Sequence, residues 1–576
     1  MRAGRWMLAF MLAVTLPVFS QSAGVRLDIS APPTVKSLIE SRLAPRGAVI
    51  TDEFELRRRL AQALGESREA LEALGFYAAK VDAGLTEESG GWVVRVNVST
   101  GEQTKVCALD LRFEGAIATE IHSEQNSERL RSLWPMTAGA EFRHVDWEAA
   151  KAALAKAAAD RVYAGARIKD SRAEIDVTTH CASLTVVLDS GPAVRFGPLT
   201  VTGLNRYDRR IVDNLNTADA GNVFDQDALL RFQLALQQSG FFSAVNVTAQ
   251  PDVLNPAVAP VQVRVEEQRL KALSFGAGFS TNTGYRGQVD YVQNSILDKP
   301  LKLSTSLKLE EKAQSARGDL IWPREAGGWQ WSVGSRIERE DVQDVITRRY
   351  ANFVQRGKSA GDIDRIWTLT YLSEDLTVRG SDPTVNRTLM LNHAWTLRRL
   401  KPAAFPDSGY ALSVQLGGAS RALLSEQDFV RTHVKAVTLY PLDSKTFFTL
   451  RGEVGVVAAN SRDGIPLDYL FRTGGSSSVR GYGYESLGVR QGSAVVGGRY
   501  LAVGSVELTR WLTKNWGGAV FVDAGGASDN WQDYKASVGY GAGARLRTPV
   551  GPLSLDLAFA DETRTLRLHF NLSIPF

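Results

Sequence analysis

From Leu566 to the end, the chain alternates without interruption. Even positions read Leu566, Leu568, Phe570, Leu572, Ile574 and Phe576, and odd positions read Arg567, His569, Asn571, Ser573 and Pro575. Successive side chains of a strand point to opposite faces, so the segment has one apolar face and one polar face. A strand at the wall of a transmembrane barrel needs that division, with apolar residues toward lipid and polar ones toward the lumen. Phe570, Leu572, Ile574 and Phe576 are therefore the expected signature of a last barrel strand.

The same period recurs from residue 270 onward. Leu301, Leu303, Thr305, Leu307 and Leu309 oppose Lys302, Ser304, Ser306 and Lys308, and Leu553, Leu555, Leu557 and Phe559 oppose Ser554, Asp556 and Ala558. Segments of roughly ten residues between turn signals number about sixteen, and an even count suits a single-chain barrel. Strands near 329–339 and 345–357 alternate poorly. A soluble sandwich or propeller is the alternative. Against it, Trp322, Trp395, Trp511 and Trp516 sit near strand ends, where membrane interfaces collect aromatic residues.

The start of the chain reads as an export signal over residues 1–23. Arg2 and Arg5 precede an apolar run from Trp6 to Phe19, and Ser20, Gln21, Ser22 and Ala23 supply a cleavage region. That run of about fourteen residues is short of the roughly 20 a spanning helix needs. No later window approaches 18 consecutive apolar residues, so any membrane crossing falls to strands. The formal charge of +4 falls to +2 without Arg2 and Arg5, which argues against nucleic acid as a partner. Cys107 and Cys181 are the only cysteines. In an oxidising compartment they are candidates for a disulfide, with two buried free thiols as the alternative.

Before residue 270 helical and strand patterns alternate and repeat. The helices Arg68 to Leu74, Val145 to Ala159 and Asp225 to Gln238 precede the landmarks Tyr77, Tyr163 and Phe242, which lie 86 and 79 residues apart. That spacing predicts three copies of one α+β unit. The third copy shows a strand ending at Gly203, two helices, Gly240-Phe241-Phe242 and two strands. Its β-α-α-β-β order resembles POTRA (polypeptide-transport-associated) domains, whose edge strands are open to extension by another chain.

The search for catalysis finds nothing. The six histidines are scattered, and there is no His-Glu-x-x-His, no phosphate-binding Gly-x-x-x-x-Gly-Lys and no Gly-x-Ser-x-Gly. No metal or cofactor site is expected, and the chain does not read as an enzyme. Gly539, Gly541 and Gly543 imitate part of a dinucleotide fingerprint, but their alternation in a strand favours small lumen-facing residues.

One long loop stands out. Residues 461–498 contain Val479, Arg480, Gly481 and Tyr482, a single arginine set among glycines, serines and aromatics. Long loops of that kind are usually functional. Burying Arg480 in a barrel requires acidic partners. Asp523, flanked by Val522 and Ala524, and Glu507, in register with Ser505 and Thr509, are the candidates to point inward and receive it; charges that each line a solvated lumen are the alternative.

Val-Arg-Gly-Tyr in a long loop, Phe521-x-Asp523-x-Gly525 in the second strand after it, and a terminal phenylalanine strand resemble the POTRA-plus-barrel superfamily of outer-membrane assembly factors. The resemblance implies that the arginine loop folds into the barrel and meets Asp523 and Glu507. It also implies a fold of N-terminal α+β POTRA repeats followed by an all-β transmembrane barrel of about 16 antiparallel strands. The expected boundaries are POTRA units at 24–104, 105–190 and 191–268 and a barrel at 269–576. Three repeats, and the Gly481 to Gly488 stretch, are most similar to the translocation and assembly module subunits (TamA). That likeness implies a Gram-negative outer-membrane location with POTRA units in the periplasm and a TamB-like, inner-membrane-anchored periplasmic partner. It further implies client outer-membrane proteins of the autotransporter type, and outer-membrane lipid around the barrel. A two-partner-secretion export pore and the barrel anchor of a lipid-transport tether are the rival readings.

Overall fold

The computed structural model describes residues 25–43, 52–88, 91–120, 123–401, 405–548 and 551–571. The export signal and Leu572, Ile574, Pro575 and Phe576 lie outside the described residues.

Three small sheets precede the barrel. The first orders its strands Val25–Ser30, Gly91–Ser99 and Lys80–Glu88, the second Lys105–Glu114, Cys181–Asp189 and Arg167–Asp176, and the third Arg195–Thr202, Val258–Glu267 and Phe242–Ala249. In each, the strand last in the chain is central. In the first two it runs parallel to the first strand and antiparallel to the other. Helices cover one face: Pro33–Leu43 with Glu53–Ala73, then Ser123–Ser132 with His144–Ala159, then Arg210–Asp213 with Gln226–Gln238. Val35, Ile39 and Leu71 of the first helix pair meet Val94 and Val96 of the central strand. In the second unit Trp147 and Leu154 pack with Leu184 and Val186, around a fully buried Tyr163.

Sequence periodicity places the second helix of the first unit at Arg68 to Leu74, whereas the helix runs from Glu53. Its first turns carry the i,i+4 pairs Arg57–Glu53 and Arg59–Glu55 and an Asp52 cap on the Glu55 N–H. That part also carries an apolar row, with Leu56 buried and Leu60, Ala63 and Leu64 packed on the unit's core, so charge pairs and an apolar stripe support it together.

A disulfide joins Cys107 to Cys181, with Cα atoms 5.5 Å apart. The register slips between Val106 and Ala108, so Cys107 is the bulged residue of its strand. A bulge re-aims one side chain, and here it belongs to the cysteine. Cross-linking positions 74 residues apart constrains the unfolded chain by on the order of 4 kcal/mol in the chain-entropy account.

From Lys271 the chain forms sixteen antiparallel strands in sequential order, ending with Thr565–Asn571. The sequence count of about sixteen holds. Their outer faces carry a belt of exposed apolar side chains, among them Val333, Leu369, Leu391, Leu416, Val454, Val520 and Leu557. A continuous exposed belt of that kind suits lipid rather than water. The two poorly alternating segments are longer than expected, Trp329–Val342 and Val345–Ala360. Charges stand on both of their faces. Arg336, Glu338, Glu340 and Arg349 share the face of the buried Gly334 and Ala351, while Arg339 and Arg348 pair on the other face, past the apolar belt.

The barrel is nearly closed. Among the described residues no backbone ladder joins the first strand, Lys271–Ser280, to the last; the one hydrogen bond between the two sides runs from the Phe570 N–H to Thr281 Oγ1 at 3.4 Å. Residues 271–279 are exposed on both faces, Phe275 at 75%.

Candidate functional site

The long connection between strands Thr446–Ala458 and Tyr500–Trp511 folds inward and packs against the wall. Ile465 and Phe471 join Phe429, Val457 and Leu501, and Val479 and Tyr482 pack with Ala560. These contacts carry Arg480 into the interior, where it is 2% exposed.

Strands Tyr500–Trp511 and Trp516–Ser528 supply its partners. Val506 and Leu508 face outward, as do Val520 and Val522, so alternation turns Glu507 and Asp523 inward. Arg480 Nε donates to Asp523 Oδ2 at 2.7 Å and Nη2 to Oδ1 at 2.9 Å, a two-pronged contact with a carboxylate that is fully buried. Nη1 donates to Glu507 Oε2 at 2.7 Å and to Asp556 Oδ2 at 3.0 Å. The Arg480 N–H also reaches Asp523 Oδ2, at 3.1 Å. The guanidinium carbon lies 3.3 Å from the centre of the Phe521 ring, so the cation is satisfied in its plane and on its face.

Sequence reading singles out Arg480, Asp523 and Glu507 but not the rest of the cluster. Asp556, in strand Gly551–Ala560, is the third acid. Arg545 donates from Nη2 to Glu507 Oε1 at 2.8 Å and from Nη1 to Asp556 Oδ1 at 2.5 Å. Arg451 donates to Ser505 Oγ at 2.8 Å and lies 3.8 Å from Asp523. Three arginines thus face three carboxylates, and the enclosed charge is balanced. His569, from the polar row of the last strand, accepts the Gly481 N–H at Nε2, 2.9 Å. Only Asp556 stands alone in a row of small residues; Arg451 shares its row with Glu453, Arg545 with Arg547 and His569 with Arg567, so alternation alone does not single those three out.

Glycines make the fit possible. Gly481 has φ +95°, and a Cβ there would lie 2.9 Å from the Ala560 N atom. Opposite, a Cβ on Gly539 would lie 1.9 Å from the Arg480 carbonyl oxygen. Gly539 therefore gives the loop backbone room to press on the strand, while Gly541 leaves space for the Phe521 ring and Gly543 for the Asp556 carboxylate. A cavity of about 120 Å³ adjoins the cluster, bordered by Arg480, Thr509, Trp511 and Arg545.

A second set of charges holds the other end of the same loop. Glu374, fully buried, accepts the Leu467 N–H at Oε1, 2.7 Å, and Arg349 Nε at Oε2, 2.8 Å. Arg336 pairs with Asp468 at 2.9 Å, and Arg472 with Glu485 and, at 3.6 Å, with Glu340. Among the described residues no group of three or more His, Cys, Asp or Glu is arranged to hold a metal ion.

Residues 271–576 match the family model of the Omp85 superfamily domain, and residues 31–100 match that of POTRA domain TamA domain 1. The outer membrane protein assembly factor BamA of Nitratidesulfovibrio vulgaris is 23% identical over 437 residues, 71% of this chain and 54% of that protein. The chain thus spans about half the length of the curated relative it matches. Among solved structures, BamA from Haemophilus ducreyi lacking POTRA domains 1–3 aligns with a TM-score of 0.62 at 15% identity, covering 81% of this chain and 99% of that one.

Proposed function

The chain belongs to the Omp85 superfamily, and from that premise we propose that it helps insert or translocate other outer-membrane proteins, as a TamA-type factor. The observation that carries this reading is the open outer edge of the first strand, which pairs with Gly284–Gln293 on one side only. Along its other edge no backbone ladder forms among the described residues, and such an edge templates pairing with an incoming strand. Gly276 and Gly278 weaken packing on the same strand. In this mechanism a client β-strand adds to Lys271–Ser280, and the Arg480 cluster keeps the loop from blocking or distorting the adjoining wall. The work done is strand exchange, with no bond made or broken, so we read the chain as a non-enzyme.

The match of residues 31–100 supports TamA among the superfamily members. With it come the Gram-negative outer membrane, periplasmic POTRA units, a TamB-like partner and autotransporter clients as parts of the proposal. The test is photo-crosslinking during client biogenesis from Ala277 and Leu568, at the seam, and from Leu416, on the far wall. Client adducts are expected at the first two positions only. Clients that assemble without seam adducts, or with equal adducts at Leu416, would sink the strand-addition mechanism.

A further inference from the structure

A cluster of cations and tryptophans sits on the outer wall, remote from the loop. On strand Val345–Ala360, Arg356 and Lys358 share the outward face with Tyr350 and Val354, which are exposed. On the next strand, Ile363–Val378, Arg365 shares its face with the exposed Trp367 and Leu369. The register sets Lys358 directly opposite Arg365, and Arg356 opposite Trp367. Like charges directly opposite each other destabilise a sheet. Among the described residues neither Lys358 nor Arg365 has an acidic partner. An anion outside the chain would offset that repulsion.

The surroundings define what it is. The Arg356 guanidinium lies 5.0 Å from the Trp329 ring centre and 5.1 Å from that of Trp331. One edge of it pairs with Glu325 at 3.2 Å, and its Nε is enclosed with no hydrogen-bond partner among the described residues. Trp331 is fixed by its own bond to Glu325, 3.0 Å, and Trp367 stacks on His393 at 4.2 Å. Held this way, the aromatics form a rigid platform. One step along each strand the outer face becomes purely apolar, at Val333, Val354 and Leu369. The cluster therefore straddles the boundary between apolar belt and polar rim, the depth of a lipid headgroup.

We propose that this patch binds the phosphate headgroup of an anionic phospholipid, with Lys358 and Arg365 as the charge-bearing contacts and Trp331 and Trp367 against the upper acyl chains. The proposal rests on the membrane reading above. The turn between Ala360 and Ile363 lies at the end where the chain enters the first strand, because six strands separate them. That end faces the periplasm in the proposed orientation, which puts the patch in the inner, phospholipid leaflet. Plain snorkelling of cations into water would produce no preference among lipids; a headgroup site does.

The test reconstitutes the full chain into phosphatidylcholine vesicles with and without phosphatidylglycerol, extracts it gently and counts retained lipids by native mass spectrometry. Wild type is expected to retain phosphatidylglycerol selectively. Lys358→Gln or Arg365→Gln should weaken that retention about fivefold each, and the double variant more than tenfold. Arg348→Gln, an exposed outward cation at the other end of the same strand, should leave it unchanged. Heat-modifiable gel mobility reports folding in every case. A wild-type chain that inserts but shows no preference, or a folded double variant that keeps it, overturns the site. A wild-type chain that inserts into neither vesicle overturns the membrane reading and the site with it.

Discussion

On one wall of the barrel the long loop contributes a cation to acids of the strands; on the opposite stretch it contributes acids and a backbone N–H to groups that include strand arginines. At the first anchorage Arg480 enters among Asp523, Glu507 and Asp556, with Arg545 and Arg451 completing a balanced set. At the second, Asp468 meets Arg336, Glu485 meets the loop's own Arg472, and the Leu467 N–H meets Glu374, which also holds Arg349. The difference lies in how the load is distributed. The first depends on one side chain that touches every acid, whereas the second spreads over several pairs, some of them partly exposed and worth little individually. Removal of a single group should therefore free the loop at the first anchorage and only slacken it at the second.

Arg480→Ala should have the largest effect. It leaves three carboxylates to two arginines, in a site where Asp523 is fully buried. Deleting one partner of a buried pair costs about 3–5 kcal/mol. The barrel should still fold, since fifteen neighbouring strand pairs in the sheet are untouched, but the segment around 474–488 should become cleavable by protease and client assembly should fall. Arg480→Lys should fail similarly, because one ammonium cannot make the forked contact to Asp523 while reaching Glu507 and Asp556. A lysine variant with full assembly and a protease-resistant loop would end the single-residue account.

Glu374→Gln should be milder. The amide keeps an acceptor for the Leu467 N–H, and Arg349 retains Glu340 at 3.3 Å. What is lost is the charge-assisted hydrogen bond from Arg349 Nε, which an amide NH2 cannot accept, on the order of 1.5–3 kcal/mol. Cleavage should appear around 465–472 while the Arg480 region stays protected. If the two anchorages are separate, losses in the Arg480→Ala, Glu374→Gln double variant should add to within about 0.5 kcal/mol. Larger coupling would make them one device.

The two anchorages also differ in how far they can be read from sequence. A lone arginine between Gly475 and Gly481, followed by inward-facing acids at Glu507 and Asp523, marks a candidate pairing in the sequence, with charges lining a wet lumen as the alternative. Arg349 and Glu374 sit in strands where charges lie on both faces, so no row of the alternation marks them as inward. Asp556 and His569 look like any lumen-lining group until the loop arrives against them. The barrel itself was legible because period-two alternation is a local property of each strand. The bulge that presents Cys107 was not, since it depends on register; the first half of helix Glu53–Ala73 was legible in principle, from the row Leu56, Leu60, Ala63 and Leu64.

Tyr482→Phe should have the smallest effect and separates shape from polarity at the first anchorage. The ring is 4% exposed and packs with Val479 and Ala560. Its hydroxyl donates to the Val538 carbonyl at 3.2 Å and accepts the Glu562 N–H at 3.3 Å. Removing it orphans little, because the Val538 carbonyl also accepts the Asp561 N–H at 3.0 Å and Glu562 is exposed to solvent. The loss should stay near 0.5–1 kcal/mol, at the low end for a neutral hydrogen bond. Tyr482→Ala, by contrast, removes the buried ring and should cost about 3–5 kcal/mol, as for other large buried aromatics. Protease protection of the loop should follow the same order, intact in the phenylalanine variant and lost in the alanine one. Equal loss in both would mean that the hydroxyl, not the packed ring, seats the loop beside Arg480.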